Sequence, residues 1–343
     1  MKVRLTRPLR IAIEFAVLAL LVLLFVKVLD PRQLRRYVEL ITPQVVTGIL
    51  TFQLAILATQ TFHWALILKE AGIYRGFWWT FFARVSGFAF TYLTPSMYFG
   101  GEPVRASLYK DRLMSYEKVY ATIALDKYIE LGAKIPFIIA GFSLLVYFVH
   151  TGAVLIGVAG FILLVLIALF LLVIVKLFSS RTFIVTASKR VLRPLALINP
   201  RLAVKVLRSI REFARDVHEI IRRRRIFYVA LAAGLLVALV EVLQTYYILF
   251  VLGHPSLPNS IVIFSTVIIQ GLIAILPGNI GGMEGTHLFI FNLLRIGSNA
   301  SIVYTLILRL GQMTMVLLGL GFIFLWRVER VRVRGADRNR TDV

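Results

Sequence analysis

Cysteine is absent from the sequence. That excludes disulfides and thiolate metal sites. Acidic residues are scarce, 17 against 39 Lys and Arg, which leaves a formal net charge of +22. No Ser-His-Asp set, metal cluster or phosphate-binding loop rises above chance. Gly278-x-x-Gly281-Gly282 lacks the strand and helix context that a nucleotide loop requires. The reading is therefore no catalytic constellation, no metal, no cofactor and no ATP-driven step.

Long hydrophobic runs fill the space these absences leave. The chain is 59% hydrophobic with mean hydropathy +0.84, the composition of a polytopic membrane protein. Its basic residues cluster between apolar runs. They report membrane orientation and anionic lipid rather than nucleic acid. Residues 11–29, 43–68, 119–149, 153–177, 226–252 and 299–326 are each long enough to cross a bilayer at about 1.5 Å per residue. The first follows a basic N-terminus without a convincing cleavage site, so it reads as an uncleaved span. The N-terminus, residues 178–225 and the tail 328–343 are the most basic segments, which places both termini in the cytoplasm. Within 178–225, Leu202, Val206, Ile210, Phe213, Val217 and Ile221 recur at helical spacing and predict an amphipathic helix on an anionic cytoplasmic surface. The expected fold is all-α: a polytopic helical membrane protein with about six full spans in one domain, 1–327.

Two stretches break this pattern. Pro95 and Pro277 are each followed seven positions later by a Glu, Glu102 and Glu284. A Gly pair lies between, Gly100-Gly101 in the first and Gly281-Gly282 in the second, where Gly278 adds another break. A basic or titratable residue, Arg105 or His287, comes three positions after each Glu. Such backbone cannot continue a plain transmembrane helix, and it survives at membrane depth only beside protein or a wet cavity. The even span count requires 77–118 and 257–296 to leave and re-enter on one side each, as a re-entrant hairpin or as a pair of full spans. The charge of 103–118 favours re-entrance for the first, and the shortness of 285–296 extends it to the second by analogy. The first hairpin then opens to the cytoplasm and the second to the outside. Paired breaks of this kind point to an inverted repeat and a transporter's binding site.

Charges inside the spans supply the candidate site. Asp126, Lys127, Glu130 and Lys134 share one helical stripe, open to a self-neutralising structural reading. Arg309 lies 25 residues after Glu284, near mid-membrane on the last span. A central charge costs about 2.5–3.5 kcal/mol, so Arg309 and Glu284 are expected to pair. Glu241 reads as an isolated acid and Gln53 and Gln60 as interhelical hydrogen-bonders. His63-Trp64 reads as an interface anchor, and His287 as a packing or interface residue.

The phrase Gly100-Gly101-Glu102-Pro103-Val104-Arg105, then Asp126-Lys127, with Pro277 to Glu284 and Arg309, resembles the membrane unit of the bifunctional lysylphosphatidylglycerol synthases and their stand-alone flippase-like relatives. The resemblance implies meeting re-entrant helices and movement of a lipid between leaflets. No stretch after Arg327 reads as the soluble aminoacyl-transferase domain, which argues against lysyl-lipid synthesis. Where bifunctional members often carry Glu-Arg, this chain has Asp126-Lys127, and Lys cannot hold a phosphate bidentately.

The expectation is a cell-membrane lipid flippase acting on an anionic phospholipid or polyprenyl phosphate. Arg105, Lys127 and Arg309 would meet the phosphate. Asp126, Glu130 and Glu284 would balance charge or carry protons. The alternatives are a membrane-embedded headgroup transferase and a non-transporting subunit of a lipid synthase. A homo-oligomer or a lipid-synthase partner fits either class.

Overall fold

A computed structural model describes residues 31–94, 100–110, 114–148, 181–194, 199–272 and 276–341. The expected spans 11–29 and 153–177, and the tip residue Pro95, lie outside the described residues. Every regular element among those described is helical: α1 Pro31–Glu39, α2 Pro43–Glu70, α3 Phe77–Leu93, α4 Glu102–Tyr109, α5 Tyr116–Phe148, α6 Arg181–Val191, α7 Pro200–Ile221, α8 Arg224–Val251, α9 Leu257–Ser265, α10 Val267–Leu272, α11 Gly282–Leu293 and α12 Ser298–Thr341. Four of them are long and apolar enough to cross a membrane: α2, α5, α8 and the part of α12 up to Trp326. They match four expected spans to within a few residues. Local chemistry starts them where it should. Thr42 caps α2 by accepting from the Val45 N–H, and Pro43 sits in the first turn, where no donor is needed.

Both broken motifs are hairpins. In the first, Gly101 returns against Gly87, and Tyr109 of α4 hydrogen-bonds Thr80 of α3. Helix α4 therefore runs antiparallel to α3. In the second, α11 returns past α10, so that Gln270 meets His287 at 2.9 Å.

The two halves are related. Glu102 and Glu284 are 182 residues apart. Shifted by that offset, α2 falls on α8 to within a residue, α3 falls on α9 and α10, α4 falls within α11, and the start of α5 falls on the start of α12. The contacts exchange as a two-fold axis demands: α2 packs on α8, while α3 packs on α12 and α9 on α5. Helices α2 and α8 are antiparallel. Ile49 near the start of α2 clusters with Ile248 and Leu249 near the end of α8, whereas Trp64 and Leu68 cluster with Ala230. Equivalent helices that run in opposite directions make the repeat an inverted one, with its axis across the helices. The two hairpins thus enter from opposite sides.

They also meet. Tyr92, near the end of α3, lies against Gly278 at the tip of the second hairpin. Each hairpin helix crosses its long partner at a glycine. A Cβ on Gly319 would strike the Val85 carbonyl, and one on Gly141 would strike the Ile261 carbonyl. Small residues at such crossings let membrane helices approach closely.

In the basic segment, helix α7 begins at the Asn199 cap and is amphipathic, as expected, and its C-terminal half docks on α5. Val217 and Ile220 are buried in the main core cluster with Phe213 and Ile221 against it, while Leu202 is exposed. An apolar stripe reads the same whether lipid or protein covers it.

Candidate functional site

The charges inside the bundle form two networks, one beside each hairpin. The first centres on Asp126, which is fully buried on α5. Arg84 of α3 grips both its carboxylate oxygens at 3.0 and 2.9 Å through one nitrogen, and reaches Glu130 with the other at 2.8 Å. Arg105 of α4 donates to Asp126 at 2.7 Å and lies 3.8 Å from the centre of the Trp64 ring. His63 of α2 donates from Nδ1 to Asp126 at 2.8 Å. Gln60 donates to Glu130 at 3.0 Å. Lys134 lies 3.3 Å from Glu130 and 2.8 Å from Glu241 of α8. Four long or hairpin helices are therefore tied to α5 by charge-assisted bonds, the strong kind in a low-dielectric interior.

The second network centres on Arg309 of α12. Its Nε donates to Glu284 at 2.6 Å, and Nη1 donates to the Tyr92 hydroxyl at 2.9 Å and the Gly278 carbonyl at 3.1 Å. Glu284 in turn accepts the Gly281 N–H at 2.8 Å and so caps α11. The expected Arg309–Glu284 pair is present, and it also ties together both hairpin tips.

The same pair exists in the first half. Lys127 pairs with Glu102, and these are separated by 25 residues, the spacing of Arg309 from Glu284. The repeat therefore extends to its ion pairs. Its glycines act differently, though. Gly278 and Gly281 have φ of +63° and +84°, conformations that favour glycine. Gly101 has ordinary helical angles, but a Cβ there would fall on the Gly87 carbonyl. Gly87 in turn leaves room for the Arg105 stem. The pair Gly87–Gly101 thus lets Arg105 reach Asp126. Gly100 forms the turn just before, Gly282 opens α11, and Pro277 starts the single 3-10 turn between α10 and α11.

A Gly101→Ala substitution should push α3 and α4 apart and lower stability by about 1–3 kcal/mol, the usual cost of overpacking. Gly285→Ala is its control. That glycine lies in α11 with open space beside it, and Ala is the better helix former by about 1 kcal/mol. Thermal melts of the purified variants should fall for the first and hold or rise for the second.

Several residues lie elsewhere than the sequence suggests. Arg105, Lys127 and Arg309 do not converge on one point, because each already faces its own carboxylate. Asp126, Lys127, Glu130 and Lys134 are not a closed stripe: Asp126 faces Arg84 and Arg105, Lys127 faces Glu102, and Lys134 reaches Glu241 as well as Glu130. Glu241 is not isolated. His63 and Trp64 are buried core, not an interface anchor. Arg84 is the one charge in the otherwise uncharged run 77–94, and that lone charge is its signal in the sequence. Gln60 bonds between helices as expected, and His287 packs internally, 2.8 Å from Thr305. Among the described residues, no group of three or more His, Asp or Glu is placed to hold a metal.

Opposed broken hairpins around paired charges, inside helices fit to cross a bilayer, define a polytopic membrane protein with a polar interior. Comparison with known proteins gives its family. Residues 11–321 match the lysylphosphatidylglycerol synthase TM region, and the chain belongs to that family. It is 24% identical over 317 residues to a UPF0104 membrane protein of Methanothermobacter thermautotrophicus, covering 89% of this chain and 91% of the relative. A UPF0104 membrane protein of Pyrococcus horikoshii is 23% identical over 257 residues, covering 72% and 76%. No solved structure matches significantly.

Proposed function

We propose that the protein moves an anionic lipid between membrane leaflets, passing the headgroup between the two hairpin tips while the tails stay in lipid. The observation that carries this reading is the meeting of the hairpins over Arg309. Broken helices that meet inside a membrane bundle place backbone dipoles and buried charge where a polar group can be handled, and intramembrane charges mark pathways more often than they merely brace a fold. Arg309 would receive the phosphate at the tips. Arg84 and Arg105 would receive it about 12 Å away, a distance set by the eight helical steps of α3 from Arg84 to Tyr92. Asp126, Glu130 and Glu284 hold these cations until the headgroup arrives, and Lys127 with Glu102 braces the first hairpin.

Purified protein reconstituted into liposomes should accelerate the exchange of a fluorescent phosphatidylglycerol or polyprenyl phosphate between leaflets. Rates equal to those of empty liposomes for every phosphate lipid would end this reading. A headgroup transferase would instead leave a deletion strain lacking a lipid species rather than displaying a normal species on the wrong leaflet.

A further inference from the structure

The first network is full before any ligand arrives. Its cations Arg84, Arg105 and Lys134 face the carboxylates Asp126, Glu130 and Glu241. A headgroup anion added there would leave an unbalanced negative charge in a low-dielectric interior, which is costly. A proton taken up at His63 can offset it. A carboxylate can only accept, so the hydrogen between His63 and Asp126 belongs to His63 Nδ1, and in the neutral tautomer this leaves Nε2 as the acceptor. That Nε2 is buried and has no hydrogen-bond partner among the described residues. His63 itself is fully buried.

We propose that His63 Nε2 takes up one proton when an anionic phosphate headgroup enters beside Arg84 and Arg105, so that anion and proton occupy the network together. The inference rests on the lipid-transport reading above. The groups facing the His63–Asp126 pair are Gln60 from its own helix α2, Arg84 from α3 and Arg105 from α4. Glu130 and Lys134 face it from α5, with Glu241 beyond them on α8. A headgroup at Arg84 and Arg105 draws Arg84 from Glu130 as well, but Lys134 stays with Glu130 and Glu241. Asp126 is the one whose two arginines turn away. An imidazolium at His63 then keeps Asp126 paired and cancels the added charge.

The test is calorimetric titration of the full-length protein in detergent with a short-chain phosphatidylglycerol, repeated in buffers of different ionisation enthalpy. The wild-type protein should take up about one proton per lipid bound. His63→Asn, whose amide still donates to Asp126, should bind more weakly and take up none. Histidine ring-nitrogen spectra of isotope-labelled wild-type protein, with and without lipid, read the same protonation if the variant does not fold. Lipid binding without proton uptake, or uptake that survives in His63→Asn, would overturn the inference while leaving the transport reading intact. No binding by any phosphate lipid would overturn both.

Discussion

Arg309→Met should abolish lipid movement and destabilise the protein, and adding Glu284→Gln should restore folding without restoring movement. The single substitution removes one partner of a largely buried pair. Glu284 would keep the Gly281 N–H but lose its cation, while Tyr92 and the Gly278 carbonyl would lose their donor. Breaking one side of a buried pair costs about 3–5 kcal/mol. The side chains are 15% and 20% exposed, so the lower end is expected. The double variant has no charge to strand, and apolar or neutral replacements of buried pairs are often neutral for stability. Transport separates the two roles of the pair. A brace alone would let the double variant move lipid at the wild-type rate. A phosphate contact would leave it at the background of empty liposomes, because nothing replaces the guanidinium. Melting temperature and lipid exchange measured on the same three proteins decide between them. A wild-type rate in the double variant would sink the headgroup role.

Arg84→Met should be the most destabilising single change in the bundle. Arg84 serves two acids, Asp126 and Glu130, with its two terminal nitrogens. It is only 7% exposed, and Asp126 is fully buried. Arg105 would then be the one guanidinium left on Asp126, beside the His63 donor, and Lys134 would be shared between Glu130 and Glu241. The same 3–5 kcal/mol scale applies here without the discount for exposure. Arg84→Lys should recover only part of the loss, because an ammonium on a flexible stem cannot span two carboxylates as the planar fork does. Adding Glu130→Gln to Arg84→Met should recover stability by coupling, with a non-additive term of about 0.5–3 kcal/mol in a double-mutant cycle. Strict additivity would mean that Arg84 and Glu130 do not share a network.

What was legible in the sequence, and what was not, follows from how charge and hydrophobicity constrain a membrane chain. The hairpins were legible because Pro277, Gly278 and Gly281 cannot continue a helix. The Arg309–Glu284 pair was legible because both charges fall at depth. The long helices announced themselves by length and composition. The repeat was visible in its motifs but not in identity along the helices, since lipid-facing positions demand only an apolar residue. Arg84 was obscured by its surroundings: one charge between Phe82 and Phe88 carries no spacing to name its partner 42 residues away. Glu241 seemed alone because Lys134 is 107 residues earlier. His63 and Trp64 sit near the end of a span, where an aromatic belt is the usual reading, yet the first hairpin folds over them and buries both.

The paired charges also bear on the membrane potential. Arg84, Arg105, Lys127, Lys134 and Arg309 face Glu102, Asp126, Glu130, Glu241 and Glu284, so cations and carboxylates cancel across both networks. A charge carried across the field is worth about 2.3 kcal/mol per 100 mV, and a set that sums to zero and moves together carries none. If the protein moves lipid as proposed, an empty carrier built this way would reset without electrical work. Its turnover would answer to the supply of lipid and protons rather than to voltage, and would hold steady in a cell whose potential rises and falls.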